Sequence, residues 1–128
     1  MSEPKWLDIE AVRAIHQQLI AAYGGLAGVR DIELLESAIA RPRQMVAYGA
    51  PGMSELGAAY AFAIIRNHPF LDGNKRTALM AAYAFLQING IELDAPEPEA
   101  AVMIRDLASG KIGEADIARW IEANAKAL

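Results

Sequence analysis

The run His68-Pro69-Phe70-Leu71-Asp72-Gly73-Asn74-Lys75-Arg76-Thr77-Ala78 is a polar, glycine-containing turn set between two apolar stretches. A helix start leaves its first amide N–H groups unpaired and carries about half a positive charge, so Gly73 through Arg76 can form a nest for an anion. Phosphate is the natural guest. Gly73 lets an oxygen approach the backbone, while Lys75 and Arg76 add donors and full charge at the same end. Two cations in a first turn oppose the helix dipole, so a bound polyanion explains them better than stability does. Asp72 beside that nest would repel phosphate unless a divalent cation lies between them, which points to Mg²⁺ bridging the carboxylate and two phosphates. Asn74 can fix an oxygen or the backbone of the turn. His68 is the side chain here suited to taking a proton from a hydroxyl near neutral pH.

The elements that must hold this turn read as helices. Ile9, Val12, Leu19, Ile20 and Tyr23 share one side of a first helix, with Asp8 as N-cap and Gly24-Gly25 as its end. A second helix starts near Asp31, runs through Leu34, Leu35, Ala38 and Ile39, and is expected to stop at Pro42. Residues 42–53, with Arg43, Tyr48, Gly49, Pro51 and Gly52, suit an irregular loop or short hairpin. Ser54 can cap a third helix over residues 55–66, and a fourth follows from Asn74 to about Ile88, closing at Asn89-Gly90. Both are apolar nearly all round, which predicts that they are central and pack on each other. After a short segment at 91–95, Pro98 sits in the first turn of a helix ending at Gly110, and Glu114 to about Ala125 reads as the last helix. The expected fold is all-α, a compact bundle of about six helices with a short flap loop or hairpin.

Composition agrees. The 128 residues, 54% hydrophobic and 22% charged, suit one domain over residues 1–128 and exclude disorder as the main state. No cysteine means no disulfide framework, thiol nucleophile or Cys-ligated zinc, which fits a reducing compartment. The amino-terminal residues carry no export pattern and no stretch is long enough to cross a membrane, so the expected location is cytoplasmic. A formal charge of −4 disfavours direct nucleic-acid binding.

The run from His68 to Arg76 resembles the signature HxFx(D/E)GN(G/K)R of the Fic/Doc (Fido) superfamily, with histidine, phenylalanine, acid, Gly-Asn and arginine in register. The likeness extends to Tyr23-Gly24-Gly25-Leu26, to Leu35-Glu36-Ser37-Ala38-Ile39-Ala40-Arg41-Pro42 and to residues 60–78, and it is closest to the Doc (death-on-curing) toxin branch. It implies a Fido fold in which His68 activates a target hydroxyl, Asp72 holds Mg²⁺, and Gly73, Asn74, Lys75 and Arg76 cradle ATP phosphates. Phe70 would be a buried anchor, and residues 42–53 take the position of the family's flap. The AMP-transferring Fic pattern has glycine where this chain has Lys75 and a second arginine where it has Leu79. Both departures point to the Doc branch, whose resemblance implies transfer of the γ-phosphate of ATP to a threonine of translation elongation factor Tu. A Fic-type AMP transferase is the enzyme alternative, and an idle helical binding module the non-enzymatic one. No [S/T]xxxE[G/N] inhibitory run is present: Ser37, Ser54, Thr77 and Ser109 are followed four residues on by Arg41, Ala58, Ala81 and Gly113. Inhibition is then expected from a separate antitoxin of the prevents-host-death type, folding as an amphipathic helix beside the site.

Other polar residues have simpler readings. Arg66 could reach the phosphates or hold the loop through an ion pair. His16, four residues after Val12 on an apolar side, reads as a hydrogen-bonded structural histidine. Tyr60, Phe62, Tyr83 and Phe85 read as core. Arg41 and Arg43 fit a solvated helix end with a possible target- or antitoxin-binding role.

Overall fold

The computed structural model describes residues 3–128. Helix α1 covers Ile9–Tyr23, and Asp8 caps it by accepting from the N–H of Ala11. Helix α2 covers Ile32–Tyr48, with the Asp31 carboxylate accepting from Leu34 N. Helices α3, Met53–Asn67, and α4, Asn74–Ile88, flank the polar run. Strand β1, Ile91–Leu93, leads to α5, Glu97–Ser109, then α6, Glu114–Asn124, and strand β2, Ala125–Ala127. Among the described residues, six helices and one small antiparallel strand pair thus make an essentially all-α fold.

Helix α3 lies at the centre, packed against α4, α2 and α6, while α1 lies along α4. Its small residues allow this crowding. Gly57, Ala58, Ala59, Ala61 and Ala63 are all buried, and a Cβ at Gly57 would sit 3.4 Å from Leu86 Cγ of α4. Thr77, Ala78, Ala81, Ala82, Phe85 and Leu86 recur at helical spacing on the buried side of α4. Between the small residues the volume is filled by rings: Tyr60 and Phe85 lie 5.0 Å apart, and Trp6 stacks on Phe85 at 5.9 Å. The Tyr60 hydroxyl is buried but accepts from Leu7 N at 3.0 Å, and its pKa is raised chiefly by that burial.

Two local expectations change, and a short strand pairing is added. Pro42 does not end α2. Proline lacks the N–H that would reach Ala38 and crowds that carbonyl, a cost of about 3 kcal/mol in a helix interior. Here its ring is fully buried, Arg43 beyond it lies over Trp6, and Arg41 before it forms an ion pair with Glu114 and lies over Phe62. Contacts on both sides hold the helical course through it, so the irregular stretch is reduced to residues 49–52. Ser54 is not the cap of α3: Gly52 occupies that position, and its N–H donates to the Glu55 carboxylate at 3.1 Å. The last helix ends at Asn124, and the residues after it pair with the segment after α4, Ile91 opposite Ala127 and Leu93 opposite Ala125.

Candidate active site

The polar run becomes the junction between the two central helices. His68 closes α3 in the left-handed region, at φ 49° and ψ 54°, and is the sole non-glycine residue with positive φ among the described residues. For a residue with a Cβ this costs on the order of 1 kcal/mol, so neighbouring contacts must impose it. Its N–H still bonds to Ile64 O at 3.0 Å. Gly73, at φ 75°, then turns the chain into α4 without that cost.

Between these two turns Asn74 closes the loop on itself. Its Oδ1 accepts from Phe70 N and its Nδ2 donates to Phe70 O, both at 3.0 Å, with the side chain buried. Of the two roles open to Asn74, its amide takes the backbone one, and it offers the cavity its own N–H. Phe70 is wholly buried, as an anchor should be, and stacks on the His16 ring with centroids 3.9 Å apart. His16 is itself buried and structural, and its Nε2 lies 2.8 Å from Asp72 O. A carbonyl oxygen only accepts, so Nε2 carries the proton.

The segment between α1 and α2 clamps the same loop from outside. Val29 pairs with Phe70 as an antiparallel bridge, Leu71 N donates to Gly28 O at 3.2 Å, and Arg30 N donates to Pro69 O at 2.7 Å. The Arg30 side chain adds Nε to His68 O at 2.7 Å and a second guanidinium nitrogen to Asn67 O at 3.0 Å. Asp72 is aimed by this segment too. Its Oδ2 accepts from Leu26 N at 3.2 Å and its Oδ1 from Gly73 N at 2.9 Å.

A cavity of about 580 Å³ opens above α4, lined by His68, Leu71, Asp72, Gly73, Asn74, Lys75 and Arg76, with Ile65 and Ala108 as apolar walls. Six of the seven residues singled out for catalysis, nucleotide and metal therefore meet in one place. The seventh, Arg66, does not: it points to a separate cavity with Ser37, Arg41 and Gln44, its guanidinium 6.0 Å from the Phe62 ring. One residue step, about 100° around the helix axis, separates these directions, so residue 66 leaves α3 on a different side from residue 65. Arg30, not Arg66, holds the loop.

Electrostatically the cavity lining combines one carboxylate, Asp72, with two cations, Lys75 and Arg76. The Gly73 N–H is taken by Asp72, so the nest begins one residue later, with the amides of Asn74, Lys75 and Arg76 at the start of α4, where no preceding turn supplies acceptors. Lys75 and Arg76 are exposed, and Arg76 stacks 4.3 Å from the Tyr23 ring centroid. Among the described residues no three histidine or acidic side chains gather as a metal site. The donor set still fits Mg²⁺, which uses one or two carboxylates and takes its remaining ligands from water and phosphate. Asp72, which lines the cavity, would supply that carboxylate.

Sequence reasoning assigned no role to Arg30, Tyr23, the Leu26 N–H or Ala108. Tyr23 and Leu26 lie within the run Tyr23-Gly24-Gly25-Leu26, and that run was the available signal. Arg30 and Ala108 had none, being separated from His68 by some forty residues on either side.

Comparison with known proteins agrees with this geometry. Residues 6–86, from before α1 into the last turn of α4 and including His68 to Arg76, match the model of the Fic/DOC family. The protein named Toxin Doc from Mycolicibacterium smegmatis is 48% identical over 77 residues, 58% of either chain. The Protein kinase doc of Escherichia phage P1 is 38% identical over 110 residues, 85% of this chain and 86% of that one. The family model covers well over half of the chain, and this protein belongs to the Fic/DOC family.

Proposed function

We propose that this chain, as one Doc-like domain, is the toxin of a toxin–antitoxin pair and transfers the γ-phosphate of ATP to a protein hydroxyl. The observation that carries the reading is the single cavity in which His68, Asp72, Lys75 and Arg76 surround the open amides of α4. The phage relative named a protein kinase supports phosphate over AMP as the transferred group, as do Lys75 and Leu79 in place of glycine and arginine.

In this reading the amides of Asn74, Lys75 and Arg76 receive phosphate oxygens, and the two side chains neutralise the charge that spreads over them during transfer. Asp72 would hold Mg²⁺, which when bound screens the phosphates from the carboxylate and from one another. Gly73 lets the chain turn close beneath them. His68, exposed at the rim, takes the proton of the acceptor hydroxyl as its oxygen bonds to the γ-phosphorus. The bond from that phosphorus to the β,γ-bridging oxygen breaks, and ADP leaves. Because phosphoryl transfer needs little covalent help, placing these groups is most of the catalysis.

We assign the acceptor as a threonine of translation elongation factor Tu and the restraining partner as an antitoxin of the prevents-host-death type, both on the strength of the Doc likeness. Among the described residues no helix is long and apolar enough to cross a membrane; the cytoplasmic location we assign rests on the Doc likeness. Purified protein, Mg²⁺ and elongation factor Tu, given γ-labelled or α-labelled ATP in parallel, test the reading. The γ label alone should appear on the target. An α label would make the protein an AMP transferase, and no label from either would refute group transfer to this target.

A further inference from the structure

We infer that Arg30 is a positioning residue for His68: it fixes the backbone conformation from which the imidazole reaches the acceptor hydroxyl. The inference rests on the proposed role of His68 as base and adds to it a residue from a distant part of the chain.

Three hydrogen bonds run from this one residue to three successive carbonyls. Its N–H donates to Pro69 O at 2.7 Å, its Nε to His68 O at 2.7 Å, and a terminal guanidinium nitrogen to Asn67 O at 3.0 Å. The carbonyls at a helix C-terminus lack partners and carry partial negative charge, so a guanidinium there satisfies two acceptors and complements the dipole. Arginine suits this because its planar fork presents donors in fixed relative directions. The carbonyls it grips belong to the residues flanking and including the left-handed turn at φ 49°. A helix end normally reserves that conformation for glycine. Without the fork, His68 would be free to relax toward ordinary helical or extended angles, and its Cα–Cβ direction would swing away from the cavity.

Arg30 is not a packing residue whose loss would empty the core, since it is exposed. Nor does it touch the phosphate side, where Asp72 is held by Leu26 and Gly73, and Asn74 by Phe70. Its loss should therefore separate two quantities that a collapse of the site would change together. Proton acceptance at His68 suffers while nucleotide binding persists.

The test compares Arg30→Gln, Arg30→Lys and His68→Ala with the unchanged protein, using Mg²⁺, labelled ATP and elongation factor Tu. Arg30→Gln should lower kcat at least tenfold, leave KM for ATP and the calorimetric Kd for ATP within twofold, and leave the fraction folded at assay temperature unchanged. Arg30→Lys, which restores one donor and the charge, should recover part of kcat. Equal losses in kcat and ATP affinity, or a kcat within twofold of the unchanged protein, would overturn the positioning role. If His68→Ala retains full activity the base assignment itself falls, and Arg30 falls with it. If His68→Ala is inactive and Arg30→Gln is not, the inference about Arg30 alone is wrong. The rates are read on whichever labelled phosphorus is transferred.

Discussion

His16 and Phe70 lie face to face, 9° from parallel with ring centroids 3.9 Å apart, beneath the loop that joins α3 to α4. The same imidazole donates to the carbonyl of Asp72, so one side chain from α1 sets both the anchor of the loop and the residue next to the helix start. Removing each half of that contact should have a separate cost. His16→Phe keeps a stacked ring and leaves the Asp72 carbonyl without its donor, a loss of about 1–3 kcal/mol. His16→Ala loses the ring as well and should cost about 2–5 kcal/mol by analogy with other large-to-small changes in cores. Urea unfolding of both variants checks the order, and a phenylalanine variant as stable as the parent would show that the hydrogen bond contributes nothing.

At Gly25 the chain passes close to the carboxylate of the metal-ligand candidate, Asp72. Its φ is 116°, and a Cβ there would lie 2.7 Å from Asp72 Oδ2. No real side-chain carbon tolerates that distance, so Gly25→Ala must displace the carboxylate, the loop or both. We expect the variant to fold with a loss of about 1–3 kcal/mol and to need more Mg²⁺ for half-maximal transfer. A titration of rate against Mg²⁺ for the variant and parent measures this. An unchanged midpoint would mean that the position of Asp72 does not govern the metal.

Much of the scaffold is legible because its signals are local. Asp8, Asn89-Gly90 and the pair Pro98 and Gly110 mark helix ends through the conformations and hydrogen bonds of the residues themselves, and the helices end there. Pro42 misleads for the same reason. Its local preference is real, but the buried ring and the flanking Arg41 and Arg43 contacts come from elements distant in sequence. Strands β1 and β2 are three residues each and meet across two intervening helices, so no hairpin turn announces them. The site divides likewise. The residues that face the cavity all fall within the nine-residue run from His68 to Arg76, apart from its apolar walls, whereas those that hold it, His16, Leu26 and Arg30, arrive through tertiary folding.

Helix α6 carries an acid-sensitive start. The Asp116 carboxylate accepts from Gly113 N at 2.8 Å and pairs with Arg119, and the Gly113 bond first and Arg119 second hold its pKa below the usual aspartate range. A carboxyl whose pKa is lower folded than unfolded contributes stability above its unfolded value of about 3.9, and loses it as the pH falls toward the folded value. Asp116→Asn should therefore melt below the parent at neutral pH, and the gap should close under acid conditions. Thermal midpoints recorded from neutrality downward decide it. A gap that stays constant with pH would assign the effect to shape and not to charge.

Tyr23, at the end of α1, is 64% exposed, and the Arg76 guanidinium lies 4.3 Å from its ring centroid. If the cavity takes phosphate as proposed, this contact would keep a flexible cation beside it before the ligand arrives. An exposed cation–π contact is worth about 0.5–1 kcal/mol, which converts to roughly a two- to fivefold change in affinity. Tyr23→Ala should weaken ATP binding by that factor, and Tyr23→Phe, which keeps the ring face, should not. Calorimetric titration of ATP into the two variants measures it directly. Tighter binding in Tyr23→Ala would reverse the reading, since the ring would then be drawing Arg76 away from the phosphates.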